Sequence, residues 1–441
     1  MKKYLPTIYL IVFLLILIIP SLGMAVFGPS DPENDEHEEF PSIVSEEGGI
    51  NLQYLQQAGD WFESRFAFRK QMVTAYSLVL GNMFDTSSIP GVVTGTNGWL
   101  YYADTIPDYQ RTSIMTGRQL HNAVRHVYLV NEYCENNDIE FFLVIAPDKN
   151  TLYPEQMPYY YPAGEGDSNM FLLMQALEIE RIPHSDLWMT FEEEEGTFYF
   201  ARDSHWNNMG AAMAAHEILS SIGVDHTNYR MMPYSIERIH QGDLEQMIYP
   251  GAVRPEEDYV FDTPPVFTYD APVQSNFDFR IQTTGTGTED LLMYRDSFGS
   301  SLLPFMAEPF DNALFSRSNA CQINDLLSVN PDVLIIEKAE RFIFQFYSTA
   351  SRLPSPLRDL PDNAVEITPE SLSTAQAGEY VTITGTLPDG SYEDDSIILI
   401  VSGDNCFEAY PVSDIANGTE GFQSLLEKNL ISTDNIRVFI V

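Results

Sequence analysis

Two short stretches hold the residue types best suited to chemistry: Arg202-Asp203-Ser204-His205-Trp206-Asn207 and Tyr294-Arg295-Asp296-Ser297-Phe298-Gly299. The first sets a carboxylate and an imidazole two positions apart. In extended backbone, residues i and i+2 point to the same side, so Asp203 and His205 can converge. The second sets a serine where an apolar run gives way to a helical one. A serine hydroxyl becomes a useful nucleophile only beside a base. With His205 as that base and Asp203 holding the imidazole tautomer, the parts of an acyl-transfer triad are present, and a triad is defined by roles rather than chain order. At a strand-to-helix turn the amide of Ser297 would face an acyl oxyanion, helped by the helix dipole.

Plainer readings compete. Ser297 could serve only as a helix cap. Asp203 and His205 could be half of a metal site, although no third and fourth ligand stands at a recognisable spacing, or a structural hydrogen bond in a loop. Trp206 reads as packing beside the histidine, with stacking on a sugar ring as the alternative. His37, His121, His126, His184, His216, His226 and His240 have no comparable setting and read as structural or solvated, His121 and His126 on a surface helix. The run Glu192 to Glu195 reads as a solvated face. No metal and no cofactor is expected.

The elements that must position these residues follow from the hydrophobic pattern. Residues 51–84 mix apolar and polar side chains at helical spacing and predict an amphipathic helix. Gly98 to Tyr102 predicts a turn entering a strand. Thr116 caps a predicted helix carrying Leu120, Val124, Val127 and Asn131 on one face. Phe141 to Ala146 is a continuous apolar run ended by Pro147, the pattern of a parallel strand buried on both faces. A helix over 170–179, strands over 182–187 and 197–201, a helix over 209–222, and strands over 290–294, 312–315 and 333–336 follow. This alternation predicts an α/β layer fold with a mostly parallel sheet, in which ligands bind at the carboxyl ends of the strands. Both special stretches fall there. Residues 227–289 are rich in Pro, Tyr and Asp and read as an insertion with short strands bordering the site. Pro354, Pro356 and Pro361 punctuate a linker, and residues 365–441 read as a small β module.

The ends and the bulk composition set the class. The chain has 441 residues, 44% hydrophobic and 12% aromatic, enough for a sizeable core despite a formal net charge of −41. Such a charge disfavours nucleic acid and anionic lipid headgroups as partners. Residues 4–30 carry no charged side chain, Lys2 and Lys3 precede them, and an acidic stretch follows. Residues 1–28 therefore read as a single-pass transmembrane anchor with everything beyond it outside the cytoplasm, and the apolar helix is expected to stand free of the compact part. A cleaved signal peptide with a secreted product is the alternative. Residues 29–49 read as an acidic stalk, 50–350 as the catalytic domain. Cys134, Cys321 and Cys406 allow one disulfide or three buried thiols.

With these residues assembled, the chain resembles the SGNH-hydrolase-like proteins of the AlgJ/AlgX type, which O-acetylate alginate, and the related DHHW proteins. Asp203-Ser204-His205-Trp206-Asn207-Asn208-Met209-Gly210-Ala211 is similar to the family's D-x-H-W element, and Arg295-Asp296-Ser297-Phe298-Gly299 to its serine element. Asn97 to Tyr102, Pro147-Asp148-Lys149 with Tyr153 to Pro158, and Pro331 to Glu337 with Glu340 and Arg341 resemble three further elements in the same order. The DHHW version has a second histidine where this chain has Ser204, and the glycine and asparagine blocks that complete an SGNH oxyanion hole are not evident. The resemblance implies a permuted SGNH-hydrolase-like fold, with Ser297 as nucleophile, His205 as base and Asp203 as its orienter. Trp206, Lys149, Arg295 and Arg341 become candidates for substrate contact. It implies transfer of acetyl groups to a cell-surface or secreted polysaccharide, with a membrane-bound O-acyltransferase as donor partner. A carbohydrate acetyl esterase of the same fold and a non-catalytic polysaccharide-binding or assembly protein are the alternatives.

Overall fold

The computed structural model describes every residue except 1–3, 31–39, 45–48, 85, 417 and 433–434. Contacts divide it into two units: residues 1–93 with 241–254, and residues 94–240 with 255–441.

The first unit is helical. Leu5–Phe27 forms one helix, and its Pro6–Phe27 stretch, with mean hydropathy 2.9, is long and apolar enough to cross a membrane by length and composition. Its end does not stand free as expected: the Phe27 ring lies edge-on to Phe68 at 5.9 Å. The predicted helix over 51–84 is two helices, Tyr54–Arg65 and Arg69–Phe84. They part where Phe68 takes a left-handed φ of 65°, which an α-helix cannot absorb. The expected stalk falls largely on residues outside those described.

The second unit is built on a six-stranded sheet in the order Glu140–Ala146, Val333–Ala339, Leu291–Tyr294, Asn312–Ser316, Arg280–Thr284, Thr268–Tyr269. The first four strands are parallel; the last two join as an antiparallel edge. Apolar runs in the parallel strands let both faces be covered. Helices Asn208–Ser221 and Phe298–Ala307 pack one face, and Gly117–Glu135, Asn169–Glu180 and Ile323–Val329 the other. This is the mixed α/β layer with a mostly parallel sheet that the sequence predicts.

Two expected strands are absent. Over 182–187 the chain makes a single bridge, His184 to Leu143, because Pro183 has no N–H to continue the ladder and Asp186 caps the helix Leu187–Glu192. Over 197–201 the chain folds back on itself instead: the Phe200 amide donates to the His205 carbonyl and the Asn207 amide to that of Phe198. The helix Gly117–Glu135, opened by a Thr116/Gln119 capping box, is not a surface helix. It lies between the sheet and the C-terminal strands, and His126 is buried on it, bonded to the Phe346 carbonyl and Ser351 Oγ at 2.9 and 2.7 Å.

The C-terminal strand module has a five-stranded sheet, Leu357–Arg358, Asn405–Glu408, Ile398–Ser402, Ile436–Ile440, Val365–Ile367, and a four-stranded one, Ser371–Ala377, Tyr380–Thr386, Glu420–Glu427, Tyr410–Ser413. They enclose their own apolar core around Ile383, Ile400 and Phe407. The first of these strands lies within the stretch read as a linker. Arg125 of this helix pairs with Glu408 of the module, Arg358 of the module pairs with Glu132 of the helix, and Arg118 donates to the Ser396 carbonyl, so helix and module are joined by ion pairs. All three cysteines are buried free thiols.

Candidate active site

Ser297 follows the strand Leu291–Tyr294 and precedes the helix Phe298–Ala307. The turn between them is held by buried carboxylates. Asp296 accepts from the Phe298 amide at 2.8 Å and from the Ala339 amide at 2.7 Å. Glu337 Oε2 accepts from the amides of Asp296 and Gly299 at 3.1 and 3.0 Å. Gly299 is required there, since a Cβ would lie 2.5 Å from Arg295 Cβ and 2.7 Å from Glu337 Oε2. Burial, reinforced by Asp296, holds the Glu337 carboxyl well above the ordinary range, which favours its neutral form.

The Ser297 hydroxyl does not cap its helix. It is partly exposed and lies 2.8 Å from His205 Nε2, to which it can donate. His205 Nδ1 donates to Asp203 Oδ1 at 2.7 Å, and the His205 amide reaches the same oxygen at 2.8 Å. The structure therefore brings Ser297, His205 and Asp203 into one hydrogen-bonded line. Burial opposes ionisation of Asp203, but hydrogen bonds from His205 and His240 outweigh it and keep the carboxyl well below its usual range.

His205 sits in a loop whose shape is fixed from outside. The Lys149 ammonium donates to the carbonyls of Phe200, Ala201 and Asp203 at 3.1, 3.1 and 2.5 Å, beneath the rings of Trp99 and Tyr101. Glu256 accepts from the amides of Ala201 and Arg202 at 3.0 and 2.9 Å. After the loop, Asn207 caps the helix Asn208–Ser221 through Gly210 N, and Gly210 has no room for a side chain against the Phe198 carbonyl.

The four candidates for substrate contact have different surroundings. Trp206 is 0% exposed and packs edge-on against Phe298 at 4.9 Å, so it belongs to the core. Arg295 is also 0% exposed; it donates to Ser300 Oγ and the Asp278 carbonyl, and burial lowers its pKa to about 10. Lys149 is 4% exposed and committed to the loop. All three are buried. Arg341 is different. It pairs with Asp148 at 2.7 Å, lies 5.1 Å from the Phe298 ring centre, and lines a cavity of about 320 Å³ with Tyr102, Asp104, Asp108, Phe342 and Phe344. Asp148 is raised by burial to about 6, against the pull of Arg341.

One residue at this site escaped the sequence reading. His240, taken as structural or solvated, lies 2.8 Å from Asp203 Oδ2. Burial lowers its pKa, but the bond to Asp203 more than compensates and raises it. Nothing in its neighbours, Ile239 and Gln241, signals that role. Glu256 and Asp258, alternating along a strand, were the available hint that this segment turns charged groups inward.

Comparison with known proteins finds similarity over part of the chain. Residues 92–273 match the family model described as SGNH hydrolase-like domain, acetyltransferase AlgX, a span that contains Asp203, His205 and His240 and ends before Ser297. A probable alginate O-acetylase AlgJ of Pseudomonas aeruginosa is 27% identical over 163 residues, 35% of this chain and 40% of that protein, so the chain spans less than half the length of this curated relative. Among solved structures, a DHHW family protein from Eubacterium siraeum aligns with 59% of this chain and 94% of its own, at 15% identity and TM-score 0.42. The O-acetyltransferase domain of Pseudomonas putida AlgJ aligns with 58% and 92%, at 17% identity and TM-score 0.39. The chain thus resembles the SGNH-like proteins of the AlgJ/AlgX type, through a domain match over residues 92–273.

Proposed function

We propose that this protein is a serine-dependent O-acetyltransferase acting on a cell-surface or secreted polysaccharide. The observation that carries the reading is the bond from Ser297 Oγ to His205 Nε2 in place of a helix cap. In the first step His205 takes the hydroxyl proton while Ser297 Oγ attacks the carbonyl carbon of an acetyl ester donor. The tetrahedral intermediate collapses, the donor alcohol leaves with that proton, and acetyl-Ser297 remains. A sugar hydroxyl then gives its proton to His205 and attacks the acetyl carbon; Ser297 recovers the proton and the sugar ester departs. Asp203, kept ionised, stabilises the imidazolium in both steps. The amides of Phe298 and Gly299 are committed to carboxylates, so the Ser297 amide is the helix-end donor for the oxyanion. The aromatic and polar cavity beside Arg341 suits a sugar acceptor.

Residues 50–350 would form the catalytic domain and 365–441 an accessory module. The helix Leu5–Phe27 would anchor the chain, with the acidic stretch 29–49 as a stalk and the domain outside the cytoplasm, supported by Lys2 and Lys3 preceding the apolar run. A membrane-bound O-acyltransferase is the proposed donor partner. The test is acetyl release from a chromogenic ester, and transfer to oligosaccharide acceptors, by wild type and Ser297→Ala. Loss of both activities in a folded variant is expected. Wild-type rates in the variant would reduce Ser297 to a structural residue and leave the binding-protein reading. Release without transfer to any acceptor would favour an esterase.

A further inference from the structure

The segment inserted before the sheet's edge strands forms a hairpin, Tyr234–His240 paired with Glu256–Phe261. Its register shifts between Arg238 and His240. Arg238 stands opposite Glu257, and both are exposed, 74% and 57% by side chain. In a regular strand His240 would share that solvent face. The extra residue of the bulge turns it to the other face, opposite buried Glu256. There the His240 ring stacks on Phe200, with centroids 3.6 Å apart and planes 6° from parallel. Stacking fixes the ring plane and aims Nε2 at Asp203 Oδ2, 2.8 Å away. On the same face Glu256 takes the amides of Ala201 and Arg202, and Asp258 takes the Asn208 amide at 2.9 Å. The hairpin thus grips the loop on both sides of His205.

We propose that His240 is a positioning residue for the acyl transfer: its Nε2–H holds Asp203 Oδ2, so that Oδ1 stays aimed at His205 Nδ1. This rests on the triad reading given above. The torsion that turns a carboxylate plane is soft and roughly two-fold, so a carboxylate tied at one oxygen can swing. Asp203 is tied at both: Oδ1 receives the His205 amide and ring, and Oδ2 receives His240. Rotation therefore breaks bonds at each end. His240 touches no reacting atom; it acts through Asp203 on the orientation of the base.

The experiment compares His240→Ala, His240→Gln and His240→Asn in the full chain, with Ser297→Ala as the control. A glutamine amide N–H can take the place of Nε2–H, whereas the asparagine amide falls short. His240→Ala and His240→Asn should lower kcat about 10- to 100-fold, the usual cost of losing a partner that orients a functional histidine, with KM unchanged. His240→Gln should recover most of kcat. The low-field proton resonance of His205 Nδ1–H should persist in wild type and His240→Gln and broaden in His240→Ala. A melting curve for each variant separates misfolding from misorientation, and Gln against Asn keeps the test decisive if alanine fails to fold. If Ser297→Ala is inactive while all three His240 variants keep wild-type kcat, the inference is overturned and the triad stands. Equal loss in Gln and Asn would also overturn it, leaving His240 a packing residue. If Ser297→Ala keeps its activity, the proposed function itself fails.

Discussion

The turn that carries Ser297 and the loop that carries His205 are held by opposite devices. At the serine, buried carboxylates of Asp296 and Glu337 collect backbone amides, and every partner lies in the turn itself or on the strand Val333–Ala339 beside it. At the histidine, an ammonium, Lys149, collects three carbonyls, while Glu256 and His240 approach from a hairpin inserted later in the chain. The serine turn is a property of the sheet. The histidine loop has no place in the sheet and depends on partners about fifty residues away on either side. Substitutions at the serine should therefore remove chemistry and leave the backbone. Substitutions around the histidine should remove chemistry by letting the loop move.

The largest effects test the unit that both regions form. Ser297→Ala and His205→Ala should each cost on the order of 10⁶ in kcat, and the double variant should lose no more than either alone, since such residues act together. A double variant worse by the product of the two would mean independent roles. Asp203→Asn should follow, with a loss on the order of 10⁴ and normal melting, because the amide favours the wrong imidazole tautomer. Steady-state kinetics beside a thermal melt checks both.

Lys149→Met separates the two regions. It strips the donor from three carbonyls in a loop that is otherwise not part of the sheet. Each buried group left unpaired costs about 1–3 kcal/mol, so stability should fall by several kcal/mol, with activity falling too. Unchanged denaturant midpoint would show that the loop holds itself.

The smallest effect is expected at Glu337. Burial and Asp296 push its carboxyl well above the ordinary range, so glutamine should replace it with little change in structure or rate. The sign with pH follows. A carboxyl whose folded pKa is raised contributes stability that is fully present below its unfolded value of about 4.3 and is lost as pH rises through the folded pKa. Wild type should therefore lose stability relative to Glu337→Gln as pH climbs from 4 to 7. A parallel pair of stability curves would mean that Glu337 is ionised.

How much of this was legible follows the same division. The parallel strands announced themselves as apolar runs closed by Pro147 or by the serine turn, and their periodicity also carried the covering helices. Asp203, His205 and Ser297 stood out because local spacing limits how they can point. The short segments 182–187 and 197–201 misled, since apolar content does not tell a strand from a loop that folds onto itself. Trp206, read first as packing beside His205, is buried against Phe298, whereas Lys149 and Arg295, candidates for substrate contact, are also buried, because polar residues of a motif serve packing as readily as binding. His240 was illegible for a physical reason. Its direction is set by a bulge and by a stack on Phe200 some forty residues earlier, and neither leaves a trace in neighbouring residue types.

The central claim is that Ser297 becomes acylated through His205. The direct measurement treats the protein with a serine-reactive sulfonyl probe, then maps modified peptides by mass spectrometry in wild type and His205→Ala. One adduct per chain on Ser297, formed together with loss of acetyl release and nearly abolished in His205→Ala, is the predicted result. Full acetyl release with Ser297 unmodified, or equal labelling without His205, would contradict it.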